Sequence, residues 1–216
     1  MKNFTLISTI VLSLHIGNSQ AAGGGFQCLN FTTPDDPEFV LGFEPYPEAC
    51  DIIREAKVKY FPDITLLIDT TNPLPFPPQG FPLCYRAQFT GNLGSIPVIM
   101  TAYSGITETD LAEYNLTNGL LNLTAATALT INVQNSNLTP GRELGTVYTQ
   151  DQILGLNPGL DPGPEMVPRE YLTVVGGNKQ FEQGKGHFVI EGDTFAPGTR
   201  VKGKLCFLGN LGNLDN

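Results

Sequence analysis

Few side chains in this chain of 216 residues have both the type and the setting for chemistry. It holds two histidines, His15 and His187, and His15 lies in an apolar leader. A multi-histidine metal site is therefore impossible in the processed chain, and a Ser-His-Asp triad would have to use His187. His187 follows Gly186 at the start of a strand-like run, a setting that equally suits a surface histidine. No metal site is expected. What remains is acid–base and hydrogen-bonding chemistry. Asp69 ends the apolar run Ile64–Ile68 beside a proline-dense stretch, where it can steer charge or cap the Thr70-Thr71-Asn72 turn. Arg86 sits in a strand-like run between Tyr85 and Ala87, as an inward cation or an outward solvated one. Tyr148 can donate to a ligand oxygen or fill a core or rim position. Glu170 alternates with Leu172 and Val174, so it faces either a barrel interior or an exposed strand entrance. These four are the candidate catalytic residues. No Asp/Glu pair stands out among the strands, which disfavours a two-carboxylate glycosidase.

The elements that must hold these groups are strands. Beta-rich runs occur at Ile64–Asp69, Cys84–Thr90, Ile96–Tyr103, Leu120–Leu123, Ala128–Gln134, Glu143–Asp151, Tyr171–Val175, His187–Glu191 and Val201–Leu208. Gly, Asn or Pro punctuates nearly every gap, and 24 glycines with 17 prolines leave little room for long helices. Only 15 % of residues are charged, too few for the surfaces of a helical bundle. An all-β antiparallel barrel or sandwich follows. Between Gly23 and Pro62 no strand alternation is evident, and this segment reads as an arm. Within it Pro47 to Ala56 can form one short helix, with Pro47 in the first turn and Glu48 and Asp51 complementing the dipole. Leu74 to Pro82 and Gly155 to Pro168 are loops by their proline and glycine content.

The N-terminus reads as an export signal. Lys2 precedes a mostly apolar run from Phe4 to Ile16, and Ser19-Gln20-Ala21 supplies small residues at the positions a signal peptidase reads. The run is short for a bilayer span, which needs about 20 residues. A secreted, extracellular protein without membrane insertion is expected, and the four cysteines then form disulfides. In Val201–Phe207, Val201, Leu205 and Phe207 share one face, while Lys202, Lys204 and Cys206 share the other. Lysines belong outside, so Cys206 points outward and is placed to tie down the arm. This favours Cys28–Cys206 and leaves Cys50–Cys84. Asn30, Asn115, Asn122 and Asn137 each begin a glycosylation sequon. The net charge of −9 argues against nucleic acid as a partner.

One stretch carries family information. Arg169-Glu170-Tyr171-Leu172-Thr173-Val174-Val175-Gly176-Gly177-Asn178-Lys179-Gln180-Phe181-Glu182-Gln183-Gly184-Lys185-Gly186 resembles the signature of dirigent proteins and allene oxide cyclases. Gly176, Gly177, Phe181, Gly184 and Gly186 match in type and spacing. Asn178 stands where Thr is usual and Lys179 where Gly is usual, in a turn where Asn tolerates left-handed geometry. Gly145-Thr146-Val147-Tyr148 looks like the strand before that motif, and Ile64 to Asp69 resembles the families' first barrel strand. The resemblance implies an eight-stranded antiparallel barrel with an apolar cavity, often in homodimers or homotrimers. It also implies work without a cofactor, by holding a small apolar molecule and controlling its cyclisation or stereoselective coupling. The organisation expected is a signal peptide over 1–21, an arm over 22–62 tethered by a disulfide, a barrel over 63–208 and a tail over 209–216. Two alternatives share these features: a lipocalin-like carrier of a hydrophobic ligand, and a structural extracellular surface protein with a solid core. Exported protein should begin near Ala22; intact-mass measurement retaining Met1 to Ala21 would contradict the leader.

Overall fold

A barrel strand must serve an apolar interior and an outer surface at once, and the inward residues decide where each strand of this chain sits. In the computed structural model, which describes residues 25–39, 41–69, 83–107, 113–115, 120–156, 169–192 and 197–209, eight antiparallel strands close into a barrel. They are β1 (Phe26–Thr32), β3 (Cys84–Leu93), β4 (Ile96–Thr107), β6 (Leu120–Gln134), β7 (Pro140–Leu156), β8 (Arg169–Gly177), β9 (Lys185–Glu191) and β10 (Arg200–Leu208). The circuit runs β1-β10-β9-β8-β7-β6-β4-β3 and returns through Phe31–Leu93 and Thr32–Asn92. Short strands β2 (Glu44–Pro45) and β5 (Glu113–Asn115) lie on the edges of β3 and β6, outside the circuit. The signal segment, the loop Leu74 to Pro82, most of the loop ending at Pro168 and all of the tail except Gly209 lie outside the described residues. Among the described residues, no helix is long and apolar enough to cross a membrane.

Two expectations about the strands need correction. The barrel does not begin at Ile64. Its first strand is β1, in the segment read as an arm outside the barrel, and it pairs residue by residue with β10. The alternation there is masked because Gln27 turns inward while Phe26 is half exposed. Conversely, Ile64–Asp69 is no strand: Leu66 makes a single bridge to Thr107, and Leu67–Asp69 forms a 3-10 turn. Leu66 and Leu67 are both buried, in different clusters. Strand geometry sends neighbours to opposite faces, so the chain has to turn to bury both.

The cysteine reading holds. Cys28 and Cys206 are cross-strand partners with Cα atoms 3.9 Å apart, on the outer face, and they are bonded. Cys50 and Cys84 form the second disulfide. Helix α1 (Glu48–Tyr60) begins where Pro47 and the early acids predict and runs one turn further than Ala56. Its buried face, Ala49, Cys50, Ile53 and Ala56, lies on the barrel exterior against small residues Ala126 and Ala128. Gly105 leaves room there too, since a Cβ on it would stand 2.8 Å from Leu66 Cδ2.

The glycine motif ends β8 and closes one end of the barrel. Phe181 is fully buried, edge-on to Phe207 at 5.2 Å between ring centroids. A Cβ on Gly177 would collide with the Phe181 carbonyl oxygen, so the strand can meet the plugging turn only as glycine. The left-handed residue of this turn is Lys179, with φ of 49°, rather than Asn178, which is extended. Asn178 instead hydrogen-bonds to β7: its N–H donates to the Thr146 carbonyl, and its Oδ1 accepts from the Thr146 N–H. Of the sequons, Asn30 is exposed on β1, and Asn137 is exposed in the β6–β7 hairpin. Asn122 is half-buried and accepts a hydrogen bond from the Gly155 N–H. The side chain of Asn115 lies outside the described residues.

Truncating the plug should be costly. Phe181→Ala is expected to lower the unfolding free energy by about 3–5 kcal/mol, read as a shift of the urea midpoint.

Candidate functional site

The barrel interior is apolar from the Phe181 end to its middle, where a layer of polar side chains interrupts it. Alternation along four neighbouring strands turns Ser104 (β4), Thr127 (β6), Thr149 and Asp151 (β7) and Glu170 (β8) into buried positions. Tyr85 on β3, 5 % exposed, is close enough for the Glu170 charge to act on its hydroxyl. Beyond this layer, toward the end where the long connections leave, Leu67, Ile106, Leu123 and Ala125 pack with Tyr85 and Phe43 to cover it.

The hydrogen bonds run in one direction. Ser104 and Thr127 face each other across the β4–β6 ladder, with Oγ and Oγ1 2.7 Å apart. The Thr127 hydroxyl donates to Asp151 Oδ2. A hydroxyl has a single proton to give, so Ser104 must be the donor to Thr127. Asp151 Oδ1 makes no well-formed hydrogen bond among the described residues, although the Thr149 hydroxyl on the same strand still acts on the carboxyl. Buried polar atoms are seldom left in that state.

Two carboxyl groups are thus enclosed together, Asp151 at 3 % and Glu170 at 7 % exposure. No cationic side chain among the described residues stabilises either one. Burial raises Glu170 from the usual 4.5 to about 7. Asp151 is held well above the usual carboxylate range, first by burial and then by the negative charge of Glu170, against the Thr127 hydrogen bond. Tyr85 is pushed up by burial and by Glu170, so its hydroxyl stays protonated. Near neutral pH Glu170 therefore stands close to its midpoint, beside an Asp151 carboxyl that burial and the Glu170 charge make harder to ionise than a free one. A midpoint there suits a group that both takes and returns a proton.

The space beside these groups is small. The enclosed volume lined by Ser104, Thr127 and Glu170, with Leu41, Phe43 and other apolar side chains, is about 10 Å3, room for about one water molecule.

Of the four residues singled out by sequence, the structure brings only Glu170 into this layer. Asp69 lies on the surface in the 3-10 turn, paired with Arg54 at 2.6 Å. Arg54 holds its carboxyl below the usual range. Arg86 points outward to Glu44 at 3.4 Å and over the Tyr46 ring. Tyr148 faces outward beneath α1, stacked on Tyr60 at 3.9 Å between centroids. His187 lies on β9, across from Thr173 and Lys204. Asp151 was not singled out by sequence, and the expectation that no acidic pair exists is corrected by its meeting with Glu170. The available signal was Val147-Thr149-Asp151 as an inward set, but α1 buries the opposite face at Tyr148. With both faces of β7 buried, alternation alone does not say which is inside. No family model, curated protein or solved structure matches the chain.

The pair makes stability depend on pH with a definite sign. Glu170 is harder to ionise folded than unfolded, so its contribution is full below about pH 4.5 and is lost as pH rises through about 7. The loss amounts to about 3 kcal/mol, and Asp151 acts in the same direction. Urea midpoints measured from pH 4 to 8 should fall for the wild type and run flatter for Glu170→Gln.

Proposed function

We propose that this is a secreted, cofactor-free barrel that binds a small apolar molecule and rearranges it by moving a proton, with Glu170 as the general acid–base and Asp151 as its proton-holding partner. One observation supports this above others: two carboxyls with no cationic partner among the described residues lie together in a layer whose other polar groups are neutral hydroxyls. Burying them costs stability that an apolar pair of similar volume would not. Displaced carboxyl titration of this kind is characteristic of catalytic sites. A group that takes and returns a proton suits cyclisation or isomerisation, where substrate and product have the same composition and no second reactant is needed. The apolar surroundings favour an apolar substrate, and the Ser104 and Thr127 hydroxyls offer hydrogen bonds to a developing oxyanion. The resemblance of Arg169–Gly186 to dirigent proteins and allene oxide cyclases points the same way. Its weight is limited to reaction class, because a shared barrel does not carry a shared substrate.

A second reading has its own observation. A cavity of only about 10 Å3 beside the two carboxyls suits a structural surface protein. Native mass spectrometry of protein from its own source decides between them. The proposal expects a copurifying apolar molecule that is released on denaturation. With that molecule or its precursor as substrate, Glu170→Gln should lower turnover by about 100-fold or more. Asp69→Asn, Arg86→Met and Tyr148→Phe should leave it unchanged, since those side chains face outward. Full turnover in Glu170→Gln would remove the proposed role of the carboxyl. Absence of any bound molecule across preparations would favour the structural protein.

A further inference from the structure

The wall of the small cavity beside Glu170 is made of unequal parts. Most of it, including Phe89, Thr127, Leu129 and Phe188, belongs to strands held in the ladders of the barrel. The exception is the segment from Leu41 to Pro45, which crosses the end of the barrel between β1 and β3. It puts Leu41, fully buried, and Phe43 against the same cavity. Phe43 also packs edge-on to Tyr85, at 6.1 Å between centroids. These two side chains therefore stand over Glu170, Ser104 and Thr127, in the space an apolar ligand would need in order to reach them.

This segment lies outside the ladders of the barrel. Among the described residues its strand pairing is β2, two residues long, where Pro45 has no N–H to contribute, and just beyond it the Tyr46 N–H donates to the Cys84 carbonyl at 2.9 Å. Ahead of it, the Gly198 N–H donates to the Phe39 carbonyl at 3.0 Å. The Arg86–Glu44 ion pair is exposed and worth little. Between Leu41 and Phe43 stands Gly42, with φ of 63° and nothing within 4 Å of where a Cβ would lie. Seating both apolar side chains thus depends on a left-handed backbone that glycine adopts freely and other residues do not.

We infer that Leu41–Pro45 is a displaceable plug, whose Leu41 and Phe43 side chains occupy the binding place of a small apolar ligand and leave it when the ligand enters. The inference rests on the ligand-binding reading above and explains why so little space is left beside the carboxyl pair. The plug swings out about Gly42, the ligand's apolar body takes the place of two apolar side chains, and the polar layer forms the floor of the site. The ladders that form the rest of the wall need not open.

The test uses the full mature protein and the neutral dye phenylnaphthylamine, which fluoresces in apolar surroundings. Gly42→Ala alters no side chain lining the cavity and meets no neighbour, so it acts only by disfavouring the seated backbone. It should tighten dye binding about five-fold. Leu41→Ala, which removes part of the plug itself, should tighten it as well. In the wild type, saturating dye should speed deuterium uptake in the peptide spanning Leu41 to Glu44 and leave the β6 and β7 ladders protected. Near-UV circular dichroism verifies that each variant keeps its packed core. Wild-type binding with unchanged uptake at Leu41 to Glu44 and unchanged affinity in Gly42→Ala would overturn the plug and leave the ligand reading standing. Binding by Gly42→Ala alone would support the plug in its strongest form. No binding by the wild type or either folded variant would overturn the ligand reading and the plug together.

Discussion

Closure of the barrel depends on β1. Without it β3 and β10 would each present a free edge, and the interior would open along its length. The seam is uneven. β1 meets β10 over seven residue pairs but meets β3 over two. The Cys28–Cys206 bond is placed on the long side, joining residues 178 apart in sequence. In the chain-entropy view, a crosslink closing so long a loop stabilises by about 5 kcal/mol. Phe31, carried by β1, sits edge-on to both Phe89 and Phe188 at 6.0 Å, so the closing strand also supplies a central core residue.

A closed barrel has one interior volume, and here its two halves differ. Toward the β8–β9 turn, Phe181 and Phe207 fill it with aromatic contact. Toward the opposite end, Ser104, Thr127, Asp151 and Glu170 replace apolar residues at positions the alternation would allow to be leucine or valine. The short side of the seam adjoins this half, because β1 ends at Thr32 while β3 continues back to Cys84. The uncovered edge of β3 is where the Leu41–Pro45 segment and β2 lie. The interruption in closure and the polar layer thus belong to the same end of the molecule.

The exterior has its own apolar region. Helix α1 covers Ala126, Ala128 and Tyr148, and it is fixed by Cys50–Cys84, by the Tyr60–Tyr148 stack and by the Tyr60 hydroxyl donating to the Gly177 carbonyl. A Cβ on Gly176 would stand 2.8 Å from the Tyr60 ring. The paired glycines therefore serve two contacts, Gly176 admitting the helix and Gly177 admitting the plugging turn.

Much of this was legible in the residues alone. The strands β3, β4 and β6 to β10, the start of α1, the outward Cys206 with its partner Cys28, and the buried Phe181 all follow from local pattern. Each depends on alternation, capping or glycine placement within a few residues. The spacing of Glu170 with Leu172 and Val174 offered an inward position as one of two readings, and the packing of β8 in the barrel decides for it. Tertiary structure alone decided the rest. That Phe26–Thr32 is a strand depends on β10 and β3 being there to receive it, at partners 60 or more residues away in sequence. That Ile64–Asp69 is a turn follows from two separate clusters claiming Leu66 and Leu67. Asp151 and Glu170 lie on neighbouring strands joined by a long connection, and no local pattern signals their meeting. Tyr148 read as a site residue because alternation gives two faces without saying which is inside. Only the docking of α1 on one of them settles that, since it buries the outer face of the wall as well as the inner.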